Sequence, residues 1–397
     1  MKTFKILLLA SIALLAVNFA PAQTWTQTSA PTNSWSSIAS SADGTKLVAV
    51  SNGGGIYTST NSGSTWTQTS APTNFWRSVA SSADGTRLIA AAYNYPIYCP
   101  IYTSPDSGAT WTTNYAPADN WQSVACSADG TRLAATVGTL GAAPNIFLST
   151  NSGATWFSKN VPSKRNPFDI IMSANGAKLF AVPGYGGFIY ASTDFGTTWM
   201  TNDAPSLGSY TIASSADGTK LVAALPLNIG PPLTGAIYSS TNSGASWYSN
   251  NVPANNWCSV ASSADGTGLA ASSGISIYTS TNSGATWVSN GVPNISSTLG
   301  LVASSADGNK LVAASIKMGG IWTSQTTPAP SINLTPANGN FTLSWVVPST
   351  NFVMQQSSDL GSWTDMTNPP VLNLTNLQNE VILSPPGSNV FYRLKTP

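Results

Sequence analysis

The chain has 397 residues, of which 7% are charged, and its 15 Lys and Arg against 14 Asp and Glu give a net charge of +1. It has no histidine, and its three cysteines, Cys99, Cys126 and Cys258, form no C-x-x-C pair; this excludes a Ser-His-Asp triad, a Cys-His pair and a zinc site. So sparse and balanced a charge offers no footprint for nucleic acid and none for an anionic membrane surface.

Residues 1–22 read as a secretory signal peptide. Lys2 and Lys5 give a basic start, Ile6 to Ala16 an apolar run, and Ala20-Pro21-Ala22 a small-x-small cleavage site. The apolar run is short for a spanning helix, and no later stretch reaches spanning length. The expectation is a protein that is secreted or held at the cell surface, without membrane insertion.

From residue 23 to 326 one pattern repeats. Each copy reads W-x-S-V-A-S-S-A-D-G-T-K-L-V-A-A, a variable stretch, G-x-I-Y-T-S-T-N-S-G-A-T-W, and a second variable stretch. The turn residue recurs at Asp43, Asp84, Asp129, Asn175, Asp217, Asp265 and Asp307, a period of 41–48 residues. The third strand recurs at Ile56, Ile101, Ile146, Ile189, Ile237, Ile277 and Ile321. A Thr/Ser-Trp pair recurs at Trp25, Trp66, Trp111, Trp156, Trp199, Trp247 and Trp287. Each unit holds four short runs rich in Val, Ile, Tyr, Thr and Trp, set apart by turn residues, which predicts an all-β fold. One such sheet cannot bury both faces, whereas sheets stacked around an axis bury one another and leave only short edges. The small side chains of S-V-A-S-S suit the innermost strand, where the sheets converge.

The register of the copies bears on closure. Trp25 precedes the first A-D-G turn, while the last copy stops at Ile321-Trp322-Thr323-Ser324. The expected fold is therefore a seven-bladed β-propeller closed by the N-terminal strand, with residues 24–28 paired to 320–325.

The segments Ser59–Trp66, Ser104–Trp111, Ser149–Trp156, Ser192–Trp199, Ser240–Trp247 and Ser280–Trp287 resemble the Asp box, S-x-D-x-G-x-T-W, of sialidase-like (BNR-repeat) propellers. Asp106 and Asp194 keep the aspartate, and Asn61, Asn151, Asn242 and Asn282 replace it. Both side chains can hydrogen-bond the backbone further on, so the turn tolerates the exchange. The resemblance covers roughly residues 23–326 and implies a fold, because the box is a folding element. A sialidase would need an arginine triad, a Tyr–Glu nucleophile pair and an acid; the sole glutamate is Glu380, outside the repeats.

Thr326-Thr327-Pro328-Ala329-Pro330 marks a change of composition, with 327–330 as linker. Residues 331–397 carry strand-like runs at Phe341–Trp345, Phe352–Ser358, Val381–Leu383 and Val390–Leu394, which suggest a small β-sandwich. This module resembles a fibronectin type III domain.

Candidate chemistry divides by face. The A-D-G turns and the boxes are expected on one face, the variable connections on the other. A basic residue follows each of six turns, at Lys46, Arg87, Arg132, Lys178, Lys220 and Lys310, and reads as a cross-turn partner of the turn aspartate. On the variable face Trp35, Trp76, Trp121 and Trp257 open inner strands, with Arg77 beside Trp76, and Phe168 and Tyr210 stand in similar places. Insertions add Tyr93, Tyr95, Tyr98 and Tyr185. These rings either present a surface to sugars or a protein partner, or pack between blades as tryptophan usually does. Outside the turns and boxes, Asp119, Asp169 and Asp203 are the candidate acids for a glycoside hydrolase using aspartates alone. The expectation is a monomeric, non-catalytic binding protein for an extracellular glycan or protein, with neither metal nor cofactor; the aspartate hydrolase is the alternative.

Overall fold

The computed structural model describes residues 23–94, 99–137, 145–162, 167–183, 187–202, 211–225, 235–293 and 298–326. Toward the C-terminus it describes 333–337, 340–346, 353–359, 362–366, 370–373, 375, 377–383 and 390–395. The expected signal peptide and linker lie outside the described residues. Within them the chain is all-β, and the strand pairs are antiparallel.

One unit shows how the repeat folds. Trp121–Cys126, Leu133–Val137, Asn145–Ser149 and Phe157–Asn160 pair in that order into a four-stranded sheet. The second strand is buried throughout, which is why it reads as a continuous apolar run rather than an alternating one. The hairpin before it is shaped by Asp129, whose carboxylate accepts from the Ser127 hydroxyl at 2.5 Å and the Thr131 amide at 3.0 Å. Gly130 then takes a φ of 67°, a left-handed backbone that glycine adopts without steric cost. A Cβ there would also lie 2.6 Å from the Arg87 side chain of the preceding unit.

Those turns join end to end. The amide of Ala42 donates to the Ala83 carbonyl at 2.7 Å, and the same bond runs on through Ala128, Ala174, Ala216, Ala264 and Ala306 and back to Ala42. The sheets thus meet around a common axis, with the inner strands next to it. Between successive sheets lie separate apolar clusters; one joins Trp35, Leu47 and Ala49 to Val312, Ala314 and Ile321 from the far end of the repeat region. Trp25–Gln27 pairs with Ile321–Gln325 in the register Trp25↔Ser324, Thr26↔Thr323 and Gln27↔Trp322.

One pairing departs from the repeat. Leu47–Gly54 extends past its hairpin and pairs with Asn74–Ser81 through Asn52↔Phe75 and Gly54↔Asn74, which joins the first two sheets into one of eight strands. The C-terminal residues form a four-stranded and a three-stranded sheet around Leu343, Trp345, Met354, Val381 and Leu383. No helix among the described residues is long and apolar enough to cross a membrane.

Candidate functional site

The inner strands start on the face formed by the variable connections, and the sequence placed four tryptophans there. The structure buries them. Trp35, Trp76, Trp121 and Trp257 are each no more than 1% exposed. Their rings meet Tyr57, Tyr102, Phe147 and Tyr278 of the third strand edge-on, with centroids 5.0 to 5.3 Å apart. The Trp35 indole N–H donates to the Gly319 carbonyl and that of Trp121 to the Cys99 carbonyl, both at 2.9 Å. The ligand-facing assignment of these four residues is therefore corrected to packing between sheets: a ring surrounded on both faces has none left for a sugar. Tyr185, Tyr210, Tyr95 and Tyr98 lie outside the described residues, as does the side chain of Phe168.

Two residues on from the tryptophans, the inner strands are stitched together. The hydroxyl of Ser37 accepts from the Val79 amide of the next sheet, Ser78 from Val124, Ser123 from Ile170 and Ser259 from Val302, at 3.1 to 3.3 Å. Asp169 occupies this same position in its own unit. Its carboxylate accepts from the Ser123 hydroxyl at 2.7 Å, the Ile170 amide at 2.9 Å and the Ile212 amide of the next sheet. Burial pushes its carboxyl above the usual range, with the three hydrogen bonds acting in the opposite sense. This shared role was missed in the sequence, although the alignment of Asp169 with Ser37, Ser78 and Ser123 was there to signal it.

The other acid candidates do not join it in what is described. Asp203 and the Asp119 side chain lie outside the described residues, and the described residues hold no cluster of Cys, Asp and Glu suited to a metal. Arg77 is exposed at the strand mouth, where its Nε donates to Gln122 of the next sheet at 3.2 Å. The same face carries exposed apolar side chains on its connections: Phe75 is 49%, Phe188 46%, Ile275 73% and Met318 66% exposed.

The opposite face is a set of braces. In each box the aspartate or asparagine accepts from the amide four residues on: Asp106 from Thr110 and Asp194 from Thr198 at 2.8 Å, and Asn61, Asn151, Asn242 and Asn282 from their counterparts at 2.9 Å. The Thr110 hydroxyl donates to Asp106, whereas the Asn61 amide donates to the Thr65 hydroxyl. A threonine can serve in either sense, so both residues fit. The basic residue after each turn reaches into the next unit. Lys310 donates to Ser62, Lys178 to Ser243 and Lys220 to Ser283 at 3.1 to 3.4 Å, and Arg87 to Ser152. Arg132 lies 5.1 Å over the ring of Phe195. The cations thus face turn aspartates as expected, but between units: the charges of Lys310, Lys46, Arg87 and Lys178 help hold down Asp43, Asp84, Asp129 and Asp217. Burial raises the Asp43 carboxyl, but bonds from Ser41 and Thr45 and the charge of Lys310 leave it below its usual range. Glycine replaces the cation at Gly268, in the unit before the one that has no box.

None of the three cysteines forms a disulfide. Burial, with the nearby Asp129 and Asp84 charges, pushes the Cys126 thiol up to about 12, which leaves it unreactive near neutral pH.

No protein-family model matches the chain, and no curated protein sequence matches it. Solved structures do. The chain is similar to the GH74 xyloglucanase from Xanthomonas campestris, with TM-score 0.60 and 14% identity over 82% of this chain and 59% of that one. It is similar to Kuenenia stuttgartiensis hydrazine synthase, with TM-score 0.60 and 14% identity over 76% of this chain and 97% of that one. It is also similar to YCF48 bound to a D1 peptide, with TM-score 0.57 and 16% identity over 77% of this chain and 97% of that one. These are propeller proteins. The fold is of the β-propeller type. At such identities the likeness concerns the fold alone, and the chain spans 59% of the length of the xyloglucanase.

Proposed function

We propose that the chain is a secreted, non-catalytic binding protein. Residues 23–326 form a seven-bladed Asp-box propeller closed by its N-terminal strand, and residues 331–397 a fibronectin type III-like sandwich. The pairing of Trp25–Gln27 with Ile321–Gln325 and the circuit of turn alanines support the ring. The six boxes, with their common hydrogen bonds, support the Asp-box assignment.

The observation that carries the non-catalytic reading is the role of Asp169. It is the one candidate acid whose carboxylate is described, and it is engaged by three donors in a place where other blades use serine. A general acid or base must be within reach of substrate; Asp169 instead ties its own blade to both neighbours. The variable face binds through Phe75, Phe188, Ile275, Met318 and the Arg77 guanidinium, a mixture of exposed apolar groups and one cation suited to an extracellular protein or glycan. Two similar structures, a xyloglucanase and YCF48 bound to a D1 peptide, support a ligand of either class for this fold.

The purified chain, applied to glycan and peptide arrays, is expected to bind without turning over polysaccharide or sialoside. Phe75→Ser and Ile275→Ser should abolish that binding while leaving the melting temperature within a few degrees. Hydrolysis at an enzymatic rate that is lost in Asp119→Asn or Asp203→Asn would overturn the reading in favour of an aspartate hydrolase.

A further inference from the structure

At the A-D-G end of the axis, Ala42, Ala216, Ala264 and Ala306 form a buried cluster, with Ala83, Ala174 and Leu377 packed against it. Leu377 does not belong to the repeat. It lies in the connection between Val371–Asn373 and Gln378–Leu383, at the tip of a hairpin of the C-terminal four-stranded sheet. The same leucine borders an axial cavity of about 190 Å³ whose wall includes Ser40, Ser82, Cys126, Met172 and Ser263.

Leucine is a poor choice for the turn it occupies. Its φ is 54°, a left-handed conformation in which a branched side chain is strained and glycine or asparagine is not. The turn is closed by the Leu377 amide donating to the Asn373 carbonyl at 2.8 Å, a bond that glycine would make equally well. The hairpin therefore gives no reason for a leucine. The ring does. The turn alanines form an apolar collar at the axis, and the Leu377 side chain packs against it. Strain held at one residue points to a contact made elsewhere.

We propose that the C-terminal module is the stopper of the ring. Leu377 is its anchor, seated among the turn alanines, and it closes the A-D-G end of the axis. Ligands then reach the axis from the variable face alone. The module acts as a fixed part of the propeller, rather than as a tethered appendage. The proposal rests on the alanine ring and the hairpin, and is independent of what the variable face binds.

The test compares Leu377→Gly and Leu377→Asp with Leu334→Asp in the full chain; Leu334 is an exposed residue of the same module. Leu377→Gly relieves the local strain and keeps the hairpin, so any loss of contact cannot be blamed on an unfolded module; near-ultraviolet circular dichroism checks this. Small-angle scattering and hydrogen exchange of peptides spanning Ser40–Gly44 and Ser304–Gly308 are the readouts. Both Leu377 variants should increase the radius of gyration and lose protection at the turn alanines, and Leu334→Asp should do neither. A Leu377→Gly chain that keeps the compact scattering profile and the unmodified protection would overturn the proposal.

Discussion

Asp169 is where an acidic residue stands in for a serine, and its environment sets its titration. An acid whose folded pKa lies above its unfolded value of 3.8 contributes stability below pH 3.8, and that contribution is lost as pH rises through the folded pKa. Asp169→Asn keeps an oxygen for the Ser123, Ile170 and Ile212 donors and removes the buried charge. It should therefore melt at or above the unmodified protein at pH 7, with the difference shrinking toward pH 4. Asp169→Ala leaves buried donors unpaired and should cost about 1–3 kcal/mol by denaturant titration. The box aspartates behave in the opposite sense. Hydrogen bonds from the Thr198 side chain and backbone hold Asp194 down at about 2, so its contribution is present above pH 3.8 and lost below. Asp106→Asn should change the melting temperature little at neutral pH, because Asn61 and its counterparts already fill that place with the same bonds. Much of this was legible: the box, its turn and the tolerance for asparagine follow from side-chain chemistry within eight residues. The role of Asp169 was less so, because its partners Ser123 and Ile212 lie in neighbouring units and only the repeat alignment relates them.

At the scale of the strand, the two kinds of tryptophan differ in burial. The box tryptophans, such as Trp156, are half-buried, and the Trp156 indole donates to the Gly153 carbonyl of its own turn at 3.0 Å. The strand-opening tryptophans are fully buried between sheets. Trp35→Ala should then cost about 3–5 kcal/mol, and Trp156→Ala clearly less; equal losses in chemical denaturation would show that the burial of Trp35 carries no extra stability. Sequence reasoning left both fates open for the opening tryptophans because an aromatic at a strand end suits a binding face and a packed seam alike. The strands themselves were legible from turn residues and β-branched runs. The pairing of Asn52 with Phe75 was not, since it depends on a glycine-rich extension, Gly53-Gly54-Gly55, that reads as a loop. In the C-terminal module, Asn333–Ala337 escaped notice because Pro336 interrupts it, and Val371–Asn373 because it is so short.

For the whole molecule, the proposed closure is the feature on which the rest depends. A ring whose last blade borrows its outer strand from the N-terminus cannot open at that seam without losing the Trp25 pairing and the cluster that holds Trp25 against Trp322 and Leu299. Deleting residues 23–30 should lower the melting temperature of the whole repeat region in one transition, because neighbouring blades depend on each other. The most direct test joins the two ends covalently. Thr26 and Thr323 are directly opposed across the seam, so Thr26→Cys with Thr323→Cys should form an intramolecular disulfide in the folded protein, mapped by peptide mass spectrometry. The cross-link should raise the melting temperature, since it closes a very long loop. A double variant that folds but leaves the two thiols unpaired, or links them only between molecules, would contradict a ring closed by its own N-terminal strand.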